Sequence, residues 1–557
     1  MTLISLDVFD TCLVRTVADP ASVWVLAARR LRAQGIDVGS DAEFATARGL
    51  AEQRARDTSP YEDVALSAFV AEPFVQAELD AERSVVRKHP RIAALTDGVR
   101  GHRFAYVSDT PLPAAFLREL LDEHGLPPGP VFTSGDRGLR KATGSLFRAV
   151  CGELDVDPDT VEHVGDNTVV DGYGAVRAGV RFHAFTSANL NRYERLLDSA
   201  GNRAHGLLGA RLAAASRLTR LQTAPTNGLA SVAYSVAGPL LLASVLWSLQ
   251  RARQAGVRRL YFAARDGELP LRIAELVAPA DVRCSYLYGS RRAWQASDDP
   301  ALHRYLAKEG VLDPGAGVVD VGWSGRAVGG LLRAVAACGA LSPAVFLLGG
   351  LCGRDVEPLL DRPDCFLVDA AGRDIDERPA VVHLLESFCQ GHEGSTTGYA
   401  SDGAPQLDAV SNTAALAWGL DEFQSAVLAY VETALGILEP DDLACDVAQL
   451  GPSFVAMLRA LWSSPDATEA AAWAPCPFDN PPGTPVRTLA RPITARAIGV
   501  ALRRPWAARD ALATGPWRAA ALPRPPRVAM PTPSLAGARL RWAGFAGRRA
   551  AARCTAT

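Results

Sequence analysis

Near its start the chain reads Leu3-Ile4-Ser5-Leu6-Asp7-Val8-Phe9-Asp10-Thr11-Cys12-Leu13, a short apolar run that stops on a carboxylate and passes into a turn. Such a run is too short for a buried helix and suits a strand covered on both faces, as in a parallel sheet. Open parallel sheets hold ligands at the carboxyl ends of their strands, so Asp7 stands where a substrate would be met. An Asp closing a strand also serves as a turn former or helix cap, but three later stretches repeat the design. Phe104-Ala105-Tyr106-Val107-Ser108-Asp109-Thr110 is a second apolar strand that ends in a hydroxyl residue. Lys141, in Arg140-Lys141-Ala142-Thr143-Gly144, belongs to a chain whose only lysines are Lys88, Lys141 and Lys308, and it precedes a helix with Leu146, Phe147 and Val150 on one face. Val161-Glu162-His163-Val164-Gly165-Asp166-Asn167 is a third strand, and Asp171 follows, so two carboxylates converge as a hard cation requires.

Carboxylate, hydroxyl, lysine and paired acids, in this order and each at a strand end or helix start, resemble the four motifs of the haloacid dehalogenase superfamily over about the first 190 residues. The Asp-Val-Phe-Asp-Thr opening and Ser-Asp-Thr-Pro-Leu-Pro look most like a group of bacterial predicted hydrolases in that superfamily. The resemblance implies a Rossmann-like parallel sheet with an inserted helical cap, and an enzyme that forms an aspartyl phosphate on Asp7. It further implies Mg²⁺ held by Asp7, the backbone carbonyl of Phe9 and Asp166, with Asp171 supporting the metal or the lysine. Thr11, Ser108 with its neighbour Asp109, and Lys141 would bind the phosphoryl oxygens. One departure stands out, because phosphatases of the superfamily place an Asp two residues after the nucleophile as general acid and base. Here Phe9 occupies that position and Asp10 comes next, so Asp10 or a cap residue is expected to take the proton role. The aromatic is also the dehalogenase pattern, which needs neither proton donor nor metal, whereas the Asp166 and Asp171 pair favours a phosphohydrolase. A small phosphorylated metabolite, a sugar phosphate or a nucleotide-linked sugar, is the expected substrate. A further alternative is a degenerate module attached to a transferase or binding domain.

A chain of 557 residues is too long for one core. Domain 1–195 is expected to hold the hydrolase motifs, with a cap of about residues 17–98 built from helical segments that include 41–56, 61–70 and 74–88. Arg15, Arg48, Arg54 and Arg56 could reach an anionic leaving group from there. After the cap the expected order is helix 114–124, strand 131–133, helix 145–153, strand 161–164, helix 172–178 and strand 180–184. A second α/β domain is expected over 225–405. Its strands end in charged turns at Arg265 and at Gly322-Trp323-Ser324-Gly325-Arg326, and Arg265, Arg291 and Arg326 could hold an anion at a helix start. A helical segment over 411–475 and an Arg/Pro/Ala-rich tail over 476–557 complete the expected layout.

Ten cysteines lie scattered without a Cys-x-x-Cys pair, the usage of a reducing compartment. No signal peptide is read, and a cytoplasmic enzyme is expected. The uncharged stretch 228–250 is long enough to span a bilayer, yet its serines, its Gly238-Pro239 break and its alanines suit a buried helix pair instead. The net charge of -3 hides a basic tail, but no finger spacing or aromatic-interleaved motif points to a specific nucleic acid. The oligomeric state is not legible.

Overall fold

The computed structural model describes residues 2–98, 101–203, 205–223, 227–351, 357–360, 363–367, 378–478, 486–491 and 516–521. The chain forms two compact units that divide between Ala224 and Pro225. The first is built on a five-stranded parallel sheet: β1 (Leu3–Leu6) lies at the centre between β4 (Arg103–Ser108) and β6 (Val161–Gly165), with β5 (Val131–Thr133) and β7 (Arg181–Ala184) outside them. Side chains alternate across each strand, so neighbouring residues feed different cores. Ile4, Leu6 and Tyr106 face one layer with Leu117 and Leu120. Leu3, Ala105 and Val107 face the other with Leu146, Phe147 and Val161. Burial on both faces explains the near-continuous apolar runs.

After the first turn β2 (Leu13–Arg15) pairs antiparallel with β3 (Val86–Lys88), making a two-stranded stem for the insertion between them. The sequence had suggested helix through residue 88, but helix α3 (Phe74–Val85) stops where Val86 joins the stem. Helices α1 (Ser22–Ala33) and α3 pack through Val23, Leu26, Leu31, Ala77, Ala81 and Val85, and α2 (Asp41–Thr58) joins them with a Ser40–Glu43 capping box. The expected helix 61–70 is a loop with one 3₁₀ turn, Leu66–Ala68. Its polar groups are committed elsewhere: the Leu66 N–H donates to Pro111 and the Asp63 carboxylate accepts from Ser134.

The first unit does not close near residue 195. Helix Leu208–Thr223 is buried along most of its length, including Arg211 and Arg217, and belongs to this unit.

In the second unit a parallel sheet runs in the order β12 (Asp364–Cys365), β11 (Ala344–Leu351), β10 (Ala316–Trp323), β8 (Arg259–Ala263), β9 (Arg283–Leu287). A hairpin of β13 (Thr396–Tyr399) with β14 (Pro405–Leu407) belongs to the same unit. The helices of 411–475 belong to the same unit. So does the start of the expected tail, where Cys476, Leu489 and Trp517 are buried and Trp517 stacks on Trp462 at 5.5 Å. The rest of the tail lies outside the described residues. Gly228–Gln254 is the one helix among the described residues long and apolar enough to cross a membrane, and 89% of its most apolar window is buried inside the protein. It is continuous rather than a broken pair. A π turn over Ala233–Ala237 precedes Pro239, widening the helix where a proline ring would otherwise meet the carbonyl of the previous turn.

Candidate active site

The central position of β1 decides where its last carboxylate goes. Asp7 follows β1, its N–H donates to Val164 of β6, and Ser108 and Asp166 come at the ends of the two flanking strands. Three strand ends therefore deliver three functional groups to one crevice without help from long loops. Lys141 reaches the same place from the turn before helix Ser145–Glu153, and that turn is held at several points. The Asp109 carboxylate accepts the Lys141 N–H at 2.8 Å, and Glu62 accepts the Arg140 N–H at 2.8 Å and the Thr143 hydroxyl at 2.7 Å. Asp171 enters through a π turn, Thr168–Tyr173, in place of the regular helix expected over 172–178. The helix Gly174–Arg177 that follows sits so close to the lysine turn that a Cβ on Gly174 would lie 1.9 Å from the Lys141 carbonyl oxygen.

The result is a cavity of about 440 Å³ lined by Asp7, Phe9, Asp10, Ser108, Asp109, Lys141, Asp166 and Asp171 together with residues of the insertion between β2 and β3. Lys141 Nζ lies 2.5 Å from Asp7 Oδ1 and 2.6 Å from Asp171 Oδ1. Ligand oxygens of Asp7, Asp166 and Asp171 all lie within 4.8 Å of one another, a cluster that could hold a metal ion. His163, fully buried, accepts from or donates to Ser5 at 2.9 Å and stands 3.4 Å from Asp171, bracing that carboxylate from behind. Burial alone would lower the Lys141 ammonium, but Asp7, Asp171 and Asp109 raise it, so it stays charged. Asp171 is likewise held low, its burial outweighed by Lys141 and His163. Asp7 is pushed up to about 7 by burial, against the opposing pull of Lys141, and Asp166 to about 8 by burial and by Asp7, Asp10 and Asp171. One ammonium is too little charge for this many buried carboxylates. A divalent cation beside Asp7 and Asp166 would supply the rest, so the residues present fit a metal.

The structure places the remaining expected groups as follows. Thr11 is fully buried, its hydroxyl has no partner among the described residues, and it does not line the cavity, because the turn folds it beneath the strand end. Asp10 lines the cavity but is not a free side chain: it adopts φ +57° and receives a hydrogen bond from Arg217 at 3.1 Å. Arg15, Arg48 and Arg56 line the cavity as paired groups, while Arg54 is exposed and outside it. Phe9 faces the cavity with the Arg15 guanidinium 3.8 Å from its ring centre.

Arg265 and Arg326 stand in the second unit. Arg265 and Asp266, just after β8, line a separate cavity of about 500 Å³ with Glu386, Gln390, Asn412 and Phe478. Arg326 and Arg291 do not line it. Gly325, at the start of the Arg326 helix, faces the side chains of Leu360 and Leu351 rather than an open anion pocket.

Sequence reasoning missed Glu62, His163, Arg211 and Arg217. His163 lies inside the buried strand β6 and could have been suspected as a buried polar group. The two arginines sit in an alanine-rich helix, and nothing near them in sequence reveals that they fold back onto residues 10–17.

No family model and no curated protein matches the sequence. Among solved structures, the chain is similar to the putative HAD-hydrolase YfnB from Bacillus subtilis bound to magnesium, at 16% identity and TM-score 0.26, over 34% of this chain and 90% of that one. It is similar to a HAD phosphatase from Thermococcus onnurineus at 21% identity and TM-score 0.26, over 34% and 89%. It is also similar to the L-2-haloacid dehalogenase PA0810 at 16% identity and TM-score 0.24, over 33% and 84%.

Proposed function

We propose that the first unit is a Mg²⁺-dependent phosphohydrolase that works through an aspartyl phosphate on Asp7. The observation that carries this reading is the convergence of Asp7, Asp166 and Asp171 with Lys141 between two of them, in one cavity at the carboxyl ends of β1, β4 and β6. In the proposed reaction an Asp7 oxygen attacks phosphorus and the ester P–O bond breaks, with Asp10 giving its proton to the departing oxygen. Water then attacks phosphorus, Asp10 takes a proton from it, and inorganic phosphate leaves with Asp7 restored. Mg²⁺, held by Asp7, Asp166 and the Phe9 carbonyl, would neutralise the oxygens of the transferring group. Lys141 and the Ser108 hydroxyl orient those oxygens. Asp171 keeps the ammonium in place, and Arg217 keeps Asp10 turned toward the cavity.

The aromatic ring of Phe9 supports a second reading, hydrolysis of a carbon–halogen bond at Asp7, in which a halide leaves without a proton. Phosphate release from small phosphomonoesters, with Mg²⁺ and with chelator, separates the two. The phosphohydrolase reading expects turnover that chelator removes and that falls at least about a thousandfold in Asp7→Asn. Halide release from haloacids that survives chelator would replace it.

A further inference from the structure

The cavity above Asp7 is rich in charge, but almost all of its arginine charge is already used. Arg48 is buried and held from two sides. Its Nε and Nη2 form a forked pair with Glu78 at 2.7 and 2.8 Å, and its Nη1 meets Glu52 at 2.7 Å. Arg56 bridges the other oxygen of Glu52 at 2.7 Å and Asp63 at 2.8 Å. Arg15 gives its Nε to Glu82 at 2.6 Å and lays its plane over Phe9. The faces of the guanidinium of Arg48 are likewise taken by Trp24 and Phe69, at 4.8 and 4.7 Å. Of the lining arginines, Arg140 alone forms no ion pair among the described residues, and it precedes Lys141 in the turn before helix Ser145–Glu153. In all, eight carboxylates and five cationic side chains line the cavity.

A second anionic group on the substrate would have to displace a carboxylate from a buried forked pair or lie beside one unpaired. Both are costly where water is scarce. An uncharged group has no such conflict, because it can accept from the outer N–H groups of the arginines, donate hydroxyls to Glu52, Glu78 or Glu82, and rest on Trp24 and Phe9. Resting on the phosphohydrolase reading, we infer that the substrate is a monophosphate of an uncharged alcohol, and that the Arg48–Glu78–Glu52 cluster excludes leaving groups with a second phosphate or a carboxylate. The cluster is a selectivity device: it rejects by offering negative charge, not only by shape.

Matched substrates test this, namely glycerol phosphate against phosphoglycerate, and a hexose monophosphate against the corresponding bisphosphate. The member of each pair whose leaving alcohol is uncharged should have the higher kcat/KM by about tenfold or more. Glu78→Gln, which keeps the shape and releases Arg48 from a charged partner, should narrow that gap chiefly through KM of the member with the second anionic group. Equal or better turnover of the anionic members by the wild type overturns the inference and leaves the phosphohydrolase standing. If no member is turned over in a metal- and Asp7-dependent way, the functional reading falls first. Calorimetric titration of the Asp7→Asn protein with the same pairs then reads the cavity without catalysis. Tighter binding of the member with the uncharged alcohol supports the inference, and equal binding, tighter binding of the member with a second anionic group, or no binding overturns it.

Discussion

His89 shows how a single buried group ties this fold to pH. It follows the stem strand β3, accepts the Arg91 N–H on Nδ1 at 3.0 Å, and faces Ser187 through Nε2 at 3.1 Å, an arrangement that suits the neutral ring. Burial, aided by Arg91, pushes its imidazole down to about 3. Between that value and the ordinary one near 6.5 the unfolded chain binds a proton that the folded chain refuses. Stability from this residue is therefore complete above about pH 6.5 and lost as the pH falls toward 3, at up to about 1.4 kcal/mol per pH unit. The melting temperature of the wild type should drop on acidification from neutral to pH 5, and His89→Gln should flatten that drop when both are followed by calorimetry. An unchanged slope would show that His89 does not titrate in this way. Of the groups in the cavity, Asp7, Ser108 and Asp166 were legible as strand ends, and Lys141 and Asp171 only from the turns that hold them. Thr11 was misjudged because strand-end position does not say which way a turn faces.

At the scale of elements, the lysine turn and the helix after the π turn form one joint. Neither strand propensity nor hydrophobic spacing predicts that joint, since a π turn is set by the contact it serves. Gly174 makes the contact possible, and it has no φ that demands glycine; what it lacks is a side chain. Gly174→Ala should force the Lys141 turn away from Asp7 and Asp171 and reduce phosphate release by about a hundredfold or more, although residue 174 does not line the cavity. Phosphate release within a few-fold of wild type would mean that the turn has slack the close packing does not suggest. The same reasoning explains the failed helix at 61–70. Exposed Glu62 and buried Asp63 are committed as acceptors to the lysine turn and to Ser134, which a regular helix would not place. Contacts of this sort are long-range, and local sequence carries no trace of them.

At the scale of the whole molecule, the alternation of apolar strands with helices announced two parallel sheets, and both are present. What alternation could not announce was where the first unit ends. Arg211 binds the Thr16 hydroxyl at 2.8 Å, and Arg217 binds the carbonyls of Arg15 and Val17 at 2.8 and 3.1 Å, so helix Leu208–Thr223 straps down the start of the insertion. A fragment of residues 1–224 should be monodisperse and melt in one transition. A fragment of residues 1–198 should aggregate or lose that transition, because it exposes the apolar surface under Leu207 and Leu212 and orphans the acceptors of both arginines. Equal melting of the two would show that the strap is dispensable. The strap also bears on how such a gene could travel. All the stretches that line the cavity from the sheet end before the helix that steadies the turn after β1, so a recombination event guided by those stretches would pass on the candidate site without its full support. The heritable unit here is longer than the recognisable one.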